Sequence, residues 1–262
     1  MLLTLLATAA IGYGALVATV YVAQRALLYP GAIGGPLPDA DWGEPVWVAT
    51  PDGERLAALH APAAPGQPTI LFLHGNADRI DRYGFFARAF AERGIGLLAL
   101  SYRGYPGSTG APGEAGLLAD GLAAYDWLDA RTDGGIAVLG QSLGSGVGVH
   151  VAAERPASAL VLVSAYDSVL AVARRVYFFL PVAPLIRDTF RSDLRIARAT
   201  QPKLFVHGRR DVVIALSHGE ALFAAAPEPK RMLVLDGAGH NDIWSNDLVA
   251  EIAGFVGGGK AP

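Results

Sequence analysis

Cysteine is absent from the 262-residue sequence, which rules out disulfides and a cysteine nucleophile. Histidine is scarce, and the six that are present form neither an H-E-x-x-H motif nor a cysteine–histidine cluster, which argues against a dedicated metal site. No basic block accompanies the formal net charge of −3, so nucleic-acid binding has no electrostatic support. A chain of this length suits one large α/β domain.

Charge is also absent from the segment Leu2 to Ala23. A helix of that length extends about 33 Å, enough to cross a hydrocarbon core of about 30 Å. We therefore expect residues 1–29 to form a membrane anchor, with a cleaved signal peptide or a buried amino-terminal helix as alternatives. A signal peptide fits less well because the segment has no basic n-region and Tyr21 would occupy position −3 of the cleavage site. Arg25 is the only nearby basic side chain, so the topology stays open.

Behind this segment, short apolar runs alternate with helical patterns. A linker rich in glycine and proline leads to a predicted hairpin of Val46–Val48 and Leu56–Leu59. Further strands are expected at Thr69–Leu73, Ile95–Leu100, Ile136–Leu139, Ala159–Val163, Lys203–Val206 and Arg231–Leu235. Helices are expected near Arg79–Glu92, Glu114–Ala130, Leu143–Glu154, Leu216–Ala225 and Asn246–Phe255. This alternation predicts an α/β domain over residues 30–262, with a parallel sheet covered on both faces.

The segment between Val163 and Lys203 is too long for a simple crossover between two strands. Residues of about 166–200 combine apolar clusters with surrounding arginines. They form either a helical excursion packed on the domain or a cap whose apolar side chains face an acyl pocket or lipid. For the acyl pocket we expect the following residues: Tyr166, Phe178, Phe179, Leu180 and Val213.

The central motif is Gly140-Gln141-Ser142-Leu143-Gly144, which reads G-x-S-x-G between a strand and a helix. Such a sharp turn exposes a serine hydroxyl above the sheet, and glycines are needed where a Cβ would clash with the backbone. A glycine-rich turn without catalytic function is the alternative. The strand-turn-helix context favours a nucleophile at Ser142.

A serine nucleophile needs an imidazole base and a carboxylate that orients the imidazole. His240 lies in a loop directly after a strand, and Asp211 follows the strand Lys203–Val206, so both are expected at the same edge of the sheet. His207 ends a strand and fits a structural role better, whereas His150 and His218 lie within helical stretches.

An oxyanion also needs hydrogen-bond donors. Leu143 offers a backbone N–H at the amino end of a helix, and the turn His74-Gly75-Asn76-Ala77 offers a second N–H, from Asn76 or Ala77. The alternative interpretation of His74-Gly75-Asn76-Ala77 is a turn that merely ends a strand.

Together these motifs resemble the α/β-hydrolase superfamily. The resemblance extends from about Val46 to Phe255 and rests on His74–Ala77, Ser101–Gly110, Gly140–Gly146, Asp211 and Gly239-His240. It is strongest to the membrane-anchored branch that resembles monoacylglycerol lipases and depalmitoylases, often labelled serine-aminopeptidase-like. The resemblance implies an eight-stranded, mostly parallel sheet and a Ser142–Asp211–His240 triad.

We therefore expect a serine hydrolase that cleaves lipid-like or acyl esters through an acyl-enzyme, without a cofactor. The expected partners are a small acyl ester or lipid and, through the amino-terminal helix, a membrane, whereas the sequence indicates nothing about oligomeric state. An acyl-protein thioesterase and a serine peptidase would use the same triad and remain alternatives. A non-catalytic binding or scaffold protein on the hydrolase fold is the alternative from another class, although such proteins usually lose a triad residue and none is missing here.

Overall fold

Eight strands form one sheet in the order β1-β2-β4-β3-β5-β6-β7-β8 in the computed structural model, which describes residues 1–258. β2 is antiparallel to both of its neighbours, β1 and β4, and every other neighbouring pair is parallel. The strands are β1 (Glu44–Ala49), β2 (Arg55–Ala61), β3 (Thr69–Leu73), β4 (Gly96–Leu100), β5 (Ile136–Gln141), β6 (Ala159–Val163), β7 (Lys203–Gly208) and β8 (Lys230–Leu235). The predicted α/β-hydrolase fold, with its mostly parallel eight-stranded sheet, is confirmed.

Alternate residues of the central strands enter two separate cores, one on each face of the sheet. In β3, Leu71 and Leu73 belong to one core, while Ile70 and Phe72 belong to the other. Side chains buried on both faces explain why these strands are continuous apolar runs in the sequence. The first core packs against α3 (Glu114–Asp129), α4 (Leu143–Glu154) and α8 (Leu216–Ala225), and the second against α2 (Gly84–Ala91) and α9 (Asn246–Val256).

Most predicted elements agree with the structure to within a few residues, and the predicted antiparallel hairpin of β1 and β2 is confirmed. The helix expected near Arg79–Glu92 differs, because it begins as a 3-10 helix at Ile80–Tyr83 and becomes α-helical only at Gly84. Glycine is a poor helix former, which is consistent with a change of helix type at this residue.

The insertion between β6 and β7, called the cap below, consists of short helices. These are α5 (Val169–Val176), α6 (Val182–Leu185) and α7 (Ser192–Arg195), followed by a 3-10 helix at Ile196–Arg198. The hydroxyl of Ser168 accepts the backbone N–H of Ala171 at 3.0 Å and so caps the start of α5. The division into an anchor at 1–29, a hydrolase domain at 30–262 and a cap at about 166–200 stays a prediction, and residues 259–262 lie outside the described residues.

The amino-terminal helix, α1 (Leu2–Leu28), has 27 residues and is therefore about 40 Å long. It is long and apolar enough to cross a bilayer, and none of its residues is fully buried in the protein. Its partly buried residues include Val17, Val20, Gln24 and Leu28, which are spaced three or four residues apart. Such spacing places them on one face of the helix, and this face is turned toward the domain.

Candidate active site

Ser142 lies at the turn between β5 and α4 with φ of +50° and ψ of −119°. A positive φ is uncommon for a residue with a side chain and costs on the order of 1–3 kcal/mol. The neighbouring glycines make the turn possible. A Cβ at Gly140 would lie 2.5 Å from the carbonyl oxygen of Gly144, and a Cβ at Gly144 would collide with the carbonyl of Leu73. The G-x-S-x-G pattern is therefore a steric requirement of this turn.

The side chains of Ser142, His240 and Asp211 form a continuous chain of hydrogen bonds. Nε2 of His240 lies 3.0 Å from Oγ of Ser142, and Nδ1 lies 2.7 Å from Oδ2 of Asp211. If Nδ1 carries the proton and its N–H donates a hydrogen bond to Asp211, the lone pair on Nε2 faces the serine hydroxyl, as a general base requires. The structure thus brings the three sequence-predicted residues together, because β5, β7 and β8 all end at the same edge of the sheet.

The carboxylate of Asp211 is buried and is hydrogen-bonded on both oxygens. Oδ1 accepts the backbone N–H groups of Val213 at 2.9 Å and Ile214 at 2.7 Å, while Oδ2 faces His240. Burial opposes ionisation, but the hydrogen bonds from His240 and Ile214 outweigh burial and hold the pKa of Asp211 below its usual value. An ionised Asp211 is the form that can orient His240.

His207 contacts the loop that carries Asp211 and Ile214. Its Nε2 lies 2.9 Å from the carbonyl oxygen of Ile214 and 3.5 Å from Oδ2 of Asp211. Burial lowers the pKa of His207, which favours the neutral imidazole, whose Nε2–H then donates to Ile214. This contact fits the structural role predicted for His207.

The turn after β3 contacts the serine turn, since a Cβ at Gly75 would lie 3.5 Å from Cβ of Ser142. The carbonyl of Gly75 shares a peptide group with the N–H of Asn76 and lies 2.7 Å from Nδ1 of His74. Because N–H and C=O point in opposite directions in a trans peptide, a hydrogen bond from His74 fixes the direction of the Asn76 N–H. Asn76 lines the cavity beside Ser142, whereas Ala77 is exposed and lies outside the cavity lining.

The next peptide group of this turn is also held by its carbonyl. The oxygen of Asn76 accepts the hydroxyl of Tyr105 at 2.7 Å and the N–H of Gly31 at 3.0 Å, which fixes the N–H of Ala77. Within residues 1–258, the backbone N–H groups of Leu143, Asn76 and Ala77 donate to no protein acceptor. All three predicted donors therefore lack a competing protein acceptor among these residues.

A cavity of about 330 Å³ extends from Ser142 and is bordered mainly by apolar side chains. Three of the five predicted pocket residues line it, namely Tyr166, Leu180 and Val213. The expectation for Phe178 and Phe179 is wrong, because their side chains lie outside the lining and are 82% and 50% exposed. They occupy the tip of the cap, where the chain turns after α5.

Tyr166 also forms part of the site's framework. Its hydroxyl is buried and donates to the carbonyl oxygen of Leu143 at 3.1 Å. Burial raises the pKa of Tyr166 well above its usual value, so the phenol keeps its proton and remains a donor.

One wall of the cavity was not predicted from the sequence. Six residues of α1 line it, namely Val17, Val20, Tyr21, Gln24, Leu27 and Leu28. The only available signal was the pair Gln24 and Arg25, two polar residues in the last turns of an apolar helix.

As for metals, residues 1–258 contain no group of three or more acidic or histidine side chains placed to hold an ion.

Comparison with known proteins shows clear relatives. Residues 64–185 match the family described as serine aminopeptidase, S33. An uncharacterized protein of Mycobacterium tuberculosis is 40% identical over 229 residues, which cover 84% of this chain and 81% of that protein. Human alpha/beta hydrolase domain-containing protein 17B is 35% identical over 205 residues, which cover 74% of this chain and 68% of the human protein.

Solved structures share the fold at low sequence identity. An esterase of Pyrococcus furiosus is 19% identical with a TM-score of 0.68, covering 86% of this chain and 98% of the esterase. A monoacylglycerol lipase of Paleococcus ferrophilus is 18% identical with a TM-score of 0.61, covering 77% of this chain and 98% of the lipase.

Proposed function

The chain belongs to the α/β-hydrolase family, and from this premise we propose that it is a serine hydrolase that cleaves carboxylic esters of lipid-like acyl chains. The proposal rests on the hydrogen-bonded series of Ser142, His240 and Asp211 beside an apolar cavity. A hydroxyl, an imidazole and a carboxylate in this order are the groups that acyl transfer through a covalent intermediate requires.

In the first half-reaction, Oγ of Ser142 attacks the carbonyl carbon of the ester while Nε2 of His240 takes the hydroxyl proton. Asp211 stabilises the resulting imidazolium. The negative charge on the carbonyl oxygen is bound by the N–H of Leu143 and that of Asn76 or Ala77; one such donor contributes roughly 3 kcal/mol in comparable enzymes. The bond to the alcohol then breaks, His240 protonates the leaving oxygen, and the acyl group remains on Ser142.

In the second half-reaction, water replaces the alcohol. His240 takes a proton from the water as its oxygen attacks the acyl-enzyme, and the same N–H groups hold the second tetrahedral intermediate. When that intermediate collapses, the carboxylic acid leaves and Oγ of Ser142 recovers its proton from His240. The two half-reactions together consume one ester and one water, release the alcohol and the carboxylic acid, and regenerate Ser142 and His240.

The cavity supports an apolar acyl group as the part of the substrate that is recognised. Its volume of about 330 Å³ lies at the lower end of the range for small-molecule sites, and valine and leucine side chains dominate its lining. We also propose that α1 anchors the protein in a membrane, where lipid-like acyl esters are present.

Labelling with a fluorophosphonate probe tests the nucleophile. We expect the full chain in detergent to be labelled, and Ser142→Ala to abolish labelling and lower p-nitrophenyl ester hydrolysis by at least about 1,000-fold. Ser158→Ala is the matched control, because Ser158 is exposed and directly precedes the amino end of β6, whereas Ser142 lies at the edge formed by the carboxyl ends of the strands. Labelling that persists in Ser142→Ala would refute the proposal.

A substrate panel tests the acyl class. We expect p-nitrophenyl esters of medium and long chains to react faster than the acetate, because they bury more apolar surface in the cavity. A strict preference for acetate would contradict the acyl pocket. Acyl thioesters and aminoacyl p-nitroanilides in the same panel distinguish a thioesterase or a peptidase from an esterase.

A further inference from the structure

The helix α1 approaches the active site at its carboxyl-terminal end. The side-chain amide of Asn76 donates to the carbonyl oxygen of Leu28 at 3.2 Å, so the last turn of α1 lies against the turn of residues 74–77, called the oxyanion turn below. From Leu28 the helix runs back past Val20 and Val17, which lie about 12 Å and about 16 Å away along its axis. All three residues line the cavity that begins at Ser142.

Hydrogen bonds from the cap fix the rotation of α1 about its axis. The amide of Gln24 donates to the carbonyl of Leu185 at 3.3 Å and accepts the backbone N–H of Arg187 at 2.8 Å. The guanidinium of Arg187 also lies 4.5 Å from the ring centre of Tyr21. Because these contacts hold Gln24 and Tyr21 against the cap, the same face of α1 stays turned toward the cavity.

The opposite wall comes from the cap. Val169, Val172 and Val176, on one face of α5, line the cavity together with Leu180. The cavity is therefore a slot between two helices that lie far apart in the chain, and it points from Ser142 along α1. An acyl chain attached at Ser142 would extend along this slot.

We propose that α1 is part of the acyl-binding site and that Val20 and Val17 border successive positions along the path of the acyl chain, so that the size of the side chains at these positions limits the length of chain that fits. The inference rests on the proposed function, since it needs an acyl group held at Ser142. A short chain ends before Val20, whereas a long chain passes Val20 and then Val17. The amino-terminal helix thus determines specificity in addition to any role as an anchor.

Tryptophan substitutions on α1 test the proposal on the full chain in detergent, with p-nitrophenyl esters from butyrate to palmitate. We expect Val20→Trp to lower the ratio of kcat/KM for palmitate to that for butyrate at least about tenfold, because the indole ring would occupy the path of the longer chain. Val17→Trp should impose its cut-off at a longer chain than Val20→Trp does, because Val17 lies farther from Ser142. Val22→Trp is the matched control, since Val22 is on the same helix and is 78% exposed.

Two outcomes would overturn the inference: an unchanged ratio in Val20→Trp, or an equal change in Val22→Trp, which would indicate an effect on micelle association. Binding of a fluorescent palmitate analogue to the same variants examines the cavity without catalysis. Weaker binding in Val20→Trp but not in Val22→Trp supports the inference even if the wild-type protein hydrolyses no ester, and in that case only the proposed function fails. Equal binding by all variants contradicts the inference.

Discussion

Arg25, in the last turn of the amino-terminal helix, forms an ion pair with Asp188 of the cap. Nε of Arg25 lies 3.1 Å from Oδ2 of Asp188, and Nη2 lies 3.4 Å from Oδ1. The side chain of Asp188 is 6% exposed and also accepts the backbone N–H of Glu114 at 3.0 Å, whereas that of Arg25 is half exposed. This carboxylate therefore joins α1, the cap and the start of α3.

The Arg25–Asp188 pair should contribute measurably to stability. Replacing Arg25 with alanine leaves the buried carboxylate of Asp188 without its cation, so we expect the free energy of unfolding to fall by about 1–3 kcal/mol. Denaturant titration of the full chain in detergent measures the change. Arg88→Ala is the control, because its ion pair with Asp41 is exposed on both sides and should contribute less than about 1 kcal/mol. Equal losses in the two variants would contradict the prediction.

Tyr105→Phe should impair catalysis without impairing substrate binding. The lost hydroxyl holds the carbonyl of Asn76 and with it the N–H of Ala77. One hydrogen bond is worth about 1 kcal/mol, so we expect kcat to fall about fivefold at unchanged KM. Tyr125→Phe is the control, since this buried tyrosine lies on α3, away from the oxyanion turn. A rise in KM at constant kcat would argue against a role in positioning the N–H groups.

The pH dependence of stability should contain a contribution from Asp211. Its pKa in the folded protein is lowered, so near pH 4 the folded state binds fewer protons than the unfolded state and stability rises with pH. The contribution is present above the ordinary carboxyl pKa of about 3.9 and is lost as the pH falls through the lower, folded-state pKa. We expect acidification below about pH 4 to destabilise the wild type more than Asp211→Asn. Urea titrations across this pH range would show parallel curves if the prediction were wrong.

The exposed aromatic residues at the tip of the cap should enter a bilayer. Because the sequence has no cysteine, Phe178→Cys can be labelled at a single site with a fluorophore that responds to polarity. In vesicles we expect a blue-shifted emission that lipid-borne quenchers reduce. Phe85→Cys is the control, as Phe85 is 43% exposed on α2. A label at position 178 with the same emission as one at position 85 would contradict insertion.

The sequence was most informative where function depends on local geometry. Ser142, Asp211 and His240 each follow a strand, and parallel strands bring their carboxyl ends to one edge, so topology alone places these residues near one another. The glycines around Ser142 follow from the sterics of one turn. Both features can be inferred without knowledge of tertiary contacts.

The walls of the cavity were harder to predict. The apolar character of Phe178 and Phe179 favours their removal from water, but it does not distinguish a pocket from a membrane or another surface. The uniformly apolar sequence of α1 likewise conceals which face contacts the cap. The partners of Gln24 and Arg25 lie more than 160 residues away, a separation that no local pattern encodes.

The hydroxyl of Tyr13 donates to the carbonyl of Phe179 at 2.9 Å, which places the cap tip about 18 Å along α1 from Arg25. If α1 crosses a bilayer, the tip lies at the depth of the lipid tails. Both α1 and the tip of the cap then contact the membrane, which restricts rotation of the enzyme relative to the bilayer. Such an enzyme meets its substrate by lateral diffusion within one leaflet. Its turnover would then follow the mole fraction of substrate among the lipids, so inert lipid added at a constant total amount of substrate would slow hydrolysis.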